Sequence, residues 1–240
     1  MKFYWVFYES NSNIDVSEEE VFQKINETHC FSCLIARKLG ITNREIAKGF
    51  TYFHKIIRNL SIKTIDYRFY ITVCLYIDNK SSNDLLIYID LFIKQYLVEM
   101  GKLKNITIDK LEQAKQVLKE KKFGQIEMQI LSLIGFDCEV DLPYYYLDQY
   151  SKLIKKEILS EANIRCNDTY YLPLCLFYHP LEIACTAILM SSEKQNSSLP
   201  LGWEKYLSND VDLKQLDHIK SIIHAKIYDR FKGVNISNTS

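Results

Sequence analysis

Glycine and proline are scarce in this chain, with 7 and 4 among 240 residues. A turn-rich β protein uses more of both, so the composition favours packed helices. Net charge is missing as well, since 30 basic residues face 30 acidic ones. Such a balance offers no bulk attraction to nucleic acid or to an acidic membrane. No apolar run reaches the ~20 residues that a membrane span needs. Lys2 is followed by a short apolar run over residues 3–8 and then by Glu9-Ser10-Asn11. That is not the pattern of a cleaved leader, and no secretory signal is expected. The seven cysteines are scattered and odd in number. They are expected to be reduced core thiols of a cytosolic or nuclear protein. Motifs that mark phosphate cradles, nucleophile elbows and helical zinc sites are absent.

What is present is a large apolar fraction, 48 %, enough to build a real core. The stretch from Lys121 to Tyr146, KKFGQIEMQILSLIGFDCEVDLPYYY, organises the chain. Ile126, Ile130, Leu133 and Ile134 recur at three- and four-residue steps, which puts one apolar face on a helix. Gly135 stands where helices close in a left-handed turn. Asp141 offers an N-cap oxygen to a following helix, and Pro143 suits its first turn. The spacing thus predicts two helices joined at a fixed elbow, with Glu127 on the first among apolar neighbours.

Further helices follow from local signals. Ser17-Glu18-Glu19-Glu20 and Thr42-Asn43-Arg44-Glu45 are capping boxes about one helix apart. Helices are expected to about Leu39, stopped by Gly40, and then through Phe50, Phe53 and Ile57. Asp66–Asp78 is apolar nearly all round, as in a helix buried among others. Asp84–Met100 is amphipathic. Residues 107–122 are charged and alternating and should lengthen the next helix, with Gly124 able to bend it. In the second half, helices are expected from Pro143 to about Lys156, over about Leu159–Tyr170, from Pro180, and over Asp212–Lys232.

One constellation resembles chemistry, His29-Cys30-Phe31-Ser32-Cys33. A zinc site needs a second ligand pair, and none follows. Core packing is the expectation, with no metal, no cofactor and no catalytic residue. Asp137, Glu139 and Asp141 cluster at a helix start, where caps are expected. The chain is read as a non-enzyme.

The pattern running from Glu127 through Leu147, E-x-x-I-L-x-x-I-G-F-D-x-x-V-D-x-P-Y-x-Y-L, resembles the junction between the two helical repeats of a cyclin. Tyr52-Phe53-His54-Lys55 is similar to the Y-F-H-R/K signature of transcriptional cyclins of the T, K, L and C kind. Asn167-Asp168, Tyr178-His179-Pro180 and Gly202–Leu207 resemble later elements of cyclins K and T. Trp5 and Phe7 fit an aromatic cluster that precedes the first helix in that family. The resemblance implies an all-α fold of two tandem five-helix cyclin boxes. Residues 1–16 would dock on the core, and residues 17–140 would form the first box, with 101–122 an insertion or helix extension. Residues 141–232 would form the second box, and 233–240 a flexible tail.

The resemblance also implies a function. The chain would be the activating subunit of a cyclin-dependent kinase, forming a heterodimer with it. The kinase would phosphorylate the RNA polymerase II C-terminal repeat, in the nucleus or in nucleus and cytoplasm. Lys80 and Glu127 match the charged residues that grip the kinase helix, and Leu131, Phe136 and Cys138 match apolar interface positions. The family's K-x-E-E is broken here, since Ser82 and Asn83 replace the acidic pair. Two alternatives stand beside this reading. One is a DNA-binding adaptor like general transcription factor IIB, which neutrality and the lack of a zinc ribbon oppose. The other is a degenerate cyclin that only scaffolds. Neither nucleic acid nor membrane is expected as a direct partner.

Overall fold

A computed structural model describes residues 16–80, 84–99 and 107–231. The described residues are helical with no strand, and they form two compact units, one ending at Val140 and the other beginning at Asp141. The aromatic cluster at Trp5 and Phe7, the Ser82-Asn83 departure, residues 101–106 and the tail lie outside the described residues.

The first unit contains α1 (Glu18–Leu39), α2 (Asn43–Asn59), α3 (Tyr67–Asn79) and α4 (Leu85–Glu99). One helical run then comprises α5 (Ile108–Val117), a π turn (Leu118–Phe123) and α6 (Gly124–Leu133). Both expected capping boxes are formed. The Ser17 hydroxyl accepts from the Glu20 amide at 3.2 Å, and the Glu45 carboxylate accepts from the Thr42 amide at 2.6 Å. These contacts satisfy amides that have no partner inside a helix. α3 is the central helix and is buried nearly all round, with Ile71, Val73, Cys74 and Leu75 at zero exposure. α2 packs against it closely at Gly49, where a Cβ would sit 2.9 Å from Leu75 Cδ2. Any larger residue there must push Leu75 aside.

The irregularity in the α5–α6 run precedes Gly124, which is itself in right-handed helical geometry. The π turn rotates Phe123 fully into the core, edge-on to Phe69 and Tyr76 at 5.7 and 5.1 Å. An aromatic seeking the core, rather than a flexible glycine, accounts for the distortion.

The second unit contains α7 (Pro143–Tyr150), α8 (Lys156–Asp168), α9 (Pro180–Lys194), α10 (Leu213–Ile223) and α11 (Asp229–Phe231). A π turn, His224–Tyr228, joins the last two, and Trp203–Lys205 is a single 3-10 turn that buries Trp203. α7 ends at Tyr150, earlier than expected, because Leu153 and Ile154 both return their amides to the Tyr150 carbonyl at 2.9 Å. That turn buries Ile154. Asp141 does not cap α7, contrary to expectation: the N-cap is Leu142, and Asp141 accepts the Tyr146 hydroxyl at 2.5 Å. α9 carries a capping box that the sequence did not announce. His179 Nδ1 accepts from the Leu181 amide at 3.2 Å, and Glu182 accepts from the His179 amide at 2.9 Å.

Candidate docking site

The five residues singled out from the sequence all lie in the first unit. Lys80 follows the last residue of α3 in right-handed helical geometry. Its ammonium donates to Glu127 Oε1 at 2.8 Å and stands 5.7 Å above the Tyr76 ring. The two side chains differ in cover, 59 % exposed for Lys80 and 18 % for Glu127. The Glu127 hydrogen bond, followed by its charge, pushes the lysine pKa above its ordinary value. The pair is therefore held together but open to solvent on the lysine side.

One turn on from Glu127, Leu131 is half-buried on the same face of α6. The link after α6 then turns sharply. Gly135 (φ +71°) and Phe136 (φ +56°) are both left-handed. The Phe136 amide donates to the Leu131 carbonyl at 2.7 Å, which closes the helix. Phe136 is 61 % exposed, and Cys138 is exposed as well. The Cys138 carbonyl accepts the hydroxyl of Tyr52 from α2 at 2.7 Å. The nearby carboxylates are not caps: Asp137 takes the Glu139 amide at 3.1 Å within the link itself.

Two participants escaped the sequence. Met128 is 57 % exposed beside Glu127. An apolar residue next to the buried stripe of a helix passes for core until its neighbours are known. Tyr52 appeared only as part of a motif, and its role depends on a residue 86 positions away.

The Cys-x-x-C stretch holds no metal constellation, and among the described residues no group of three or more His, Cys, Asp or Glu is placed to bind one. All seven cysteines are free. Contrary to the expectation of core thiols, Cys30 and Cys138 are exposed, and Cys33 and Cys175 are half-buried. Cys30 lies on the outer face of α1, and Cys33 Sγ lies 3.6 Å from His29 Nδ1. Burial raises both thiol pKa values, so neither is an activated nucleophile. The His29 ring packs 5.0 Å from Phe50, and although the residue keeps some exposure, desolvation of the ring lowers its pKa to about 4. His54 is fully buried beside Phe50 and Phe53, as a packed helix histidine.

The second unit gathers its polar residues inward. The Tyr228 hydroxyl donates to Asp168 at 2.6 Å, and the Arg165 guanidinium covers the Tyr228 ring at 4.7 Å. Arg165 also pairs with Glu161 at 2.9 Å. The Tyr144 hydroxyl donates to Asn167 at 2.6 Å. Burial raises the Asp168 pKa despite the Tyr228 hydrogen bond.

No protein-family model matches the chain. Curated relatives do. Cyclin-T1-4 of Arabidopsis thaliana is 26 % identical over 217 residues, covering 87 % of this chain and 39 % of the relative. A cyclin-L1-like protein of Schizosaccharomyces pombe is 26 % identical over 106 residues, covering 42 % of this chain and 40 % of the relative. The chain thus spans about two fifths of the length of these relatives. Among solved structures, a chain of the yeast RNA Pol II CTD kinase CTDK-1 complex superposes with a TM-score of 0.72 at 18 % identity. That match covers 94 % of this chain and 72 % of the other. The chain resembles transcriptional cyclins in sequence, and its all-helical fold is shared with that solved chain.

Proposed function

On the premise that this chain is cyclin-like and of the transcriptional kind, we propose that it is the activating subunit of a cyclin-dependent protein kinase. One observation carries the proposal: α6, which brings Glu127 to Lys80, also carries half-buried Leu131 and exposed Met128, and the link that closes it bears exposed Phe136. A partner helix needs both features, apolar anchors to bury and charged groups to meet its end amides and carbonyls. Catalysis belongs to the kinase. This chain acts by differential affinity, binding best the kinase state whose αC helix is turned inward. That rotation brings together the lysine–glutamate pair that holds ATP phosphates. Similarity to T and L cyclins supports a transcriptional output, phosphorylation of the RNA polymerase II C-terminal repeat in the nucleus.

The test is affinity purification of the chain from its native cells. The recovered kinase is then assayed on a C-terminal-repeat peptide with and without the chain. A rise in activity on addition is the expected result. A bound kinase with no rise would make the chain a scaffold, the outcome that Ser82 and Asn83 would favour. Absence of a kinase, with DNA binding that weakens steeply in salt, would instead support the IIB-like adaptor.

A further inference from the structure

Phe136 sits in a conformation that a phenylalanine adopts at a cost. At φ +56° its Cβ crowds the following carbonyl, a clash that the neighbouring Gly135 at φ +71° escapes. The ring gains little in return, because Phe136 stays 61 % exposed. A strained residue persists only where its surroundings over-determine it. Upstream, the Phe136 and Asp137 amides bond the Leu131 and Ile134 carbonyls at 2.7 and 3.4 Å. Downstream, the Asp137 carboxylate takes the Glu139 amide, but that contact moves with the link and anchors nothing. Further on, the Tyr52 hydroxyl on the Cys138 carbonyl is the hydrogen bond among the described residues that ties the link to the helical core. Tyr52 is fully buried in α2, and its helix and ring are fixed by the core around them. Burial raises the phenol pKa, so the hydroxyl remains a donor throughout the ordinary pH range.

We propose that Tyr52 is a positioning residue of the docking site: by pinning the Cys138 carbonyl it holds the left-handed link that presents Phe136 to the partner kinase. This inference rests on the kinase-activating reading. Tyr52 touches no partner in this scheme. It shifts the population of the free chain toward the binding-ready link, so its removal lowers affinity by the fraction of time the link is lost.

Tyr52→Phe keeps the ring and deletes one oxygen. Tyr88→Phe, at another fully buried tyrosine of the first unit, serves as the control. Amide exchange is followed by mass spectrometry on the free full chain. Exchange over residues 136–140 should quicken about tenfold in Tyr52→Phe, the scale of one lost hydrogen bond, with the helices unchanged. The control should leave that segment as in the parent. In this scheme the strained link is only marginally closed in the parent, so a tenfold larger opening constant leaves it mostly open. Affinity for the kinase recovered with the native chain should then fall several-fold, chiefly through slower association. Unchanged exchange at 136–140 overturns the pin. Faster exchange with unaltered affinity overturns its link to docking. Should Tyr52→Phe fold poorly, Phe136→Gly decides: it relieves the strain, so it should melt no lower than the parent yet bind the kinase at least about tenfold more weakly. Parent-like affinity of Phe136→Gly would overturn the presentation of Phe136. The broader reading fails separately, if no kinase is recovered with the native chain or the recovered kinase is no more active with it than without it.

Discussion

One tyrosine hydroxyl of the first unit and two of the second serve opposite ends. In the first, Tyr52 reaches from the core to hold a link whose Phe136 faces solvent, and the nearby Lys80–Glu127 pair stays open on its lysine side. In the second, Tyr228 and Tyr144 turn inward to Asp168 and Asn167, and Arg165 closes over Tyr228. The same donor chemistry thus maintains a strained, exposed feature in one unit and a closed polar cluster in the other. On the proposed reading, the strained and exposed link belongs to a surface that meets a partner, whereas the mutually satisfied cluster contributes to internal stability. If this contrast is right, substitutions in the first unit should affect binding and those in the second should affect stability.

The largest effect is expected from Lys80→Ala combined with Glu127→Ala. Truncating a charged pair that becomes buried in an interface typically costs roughly 2–5 kcal/mol of binding. In the free chain the pair is solvent-exposed on one side and contributes at most about 1 kcal/mol to folding. Kinase activation should therefore be lost while the thermal midpoint hardly moves, as read by kinase assay and circular dichroism. A large drop in melting temperature would show the pair to be structural.

Asp168→Ala should behave in the reverse way. It leaves the Tyr228 hydroxyl without its acceptor and removes a negative charge that acts on Arg165, a loss of about 1–3 kcal/mol. Calorimetry should show a melting point lower by several degrees with kinase affinity intact. Loss of affinity without loss of stability would dissolve the contrast between the units.

An effect confined to acid pH, and so absent at neutrality, concerns one histidine. His29 has its folded pKa lowered from 6.5 to about 4 by desolvation, so it stays neutral in the fold while the unfolded chain takes up a proton. Its contribution to stability is complete above pH 6.5 and is lost as pH falls from about 6.5 to about 4. His29→Gln should flatten that part of the stability profile, measured by urea titration at a series of pH values. An unchanged slope would mean that the ring is hydrated in the folded chain.

Much of the fold was legible because its signals are local. Ser17 and Thr42 with glutamates three residues on, Gly40, Gly135 and Pro143 all do in the structure what their residue types favour. The unbroken apolar character of α3 likewise foretold a helix buried on every side. The misreadings share another cause. Asp141 has the chemistry of a cap, but Tyr146 lies within reach and takes its carboxylate. His179 has no strong capping preference, yet it caps α9 through its ring nitrogen. The π turn arises because Phe123 finds Phe69 and Tyr76, residues far off in the chain.

The amino-acid order alone determined where most helices begin and which faces are apolar, because caps, turns and periodicity act over a few residues. Only tertiary structure decided that Lys80 meets Glu127, that Met128 is left outside the core, and that a tyrosine on α2 secures the link bearing Phe136. Those outcomes depend on distances between helices. A side chain's partner there is chosen by the packing of the whole unit, and no local preference encodes it.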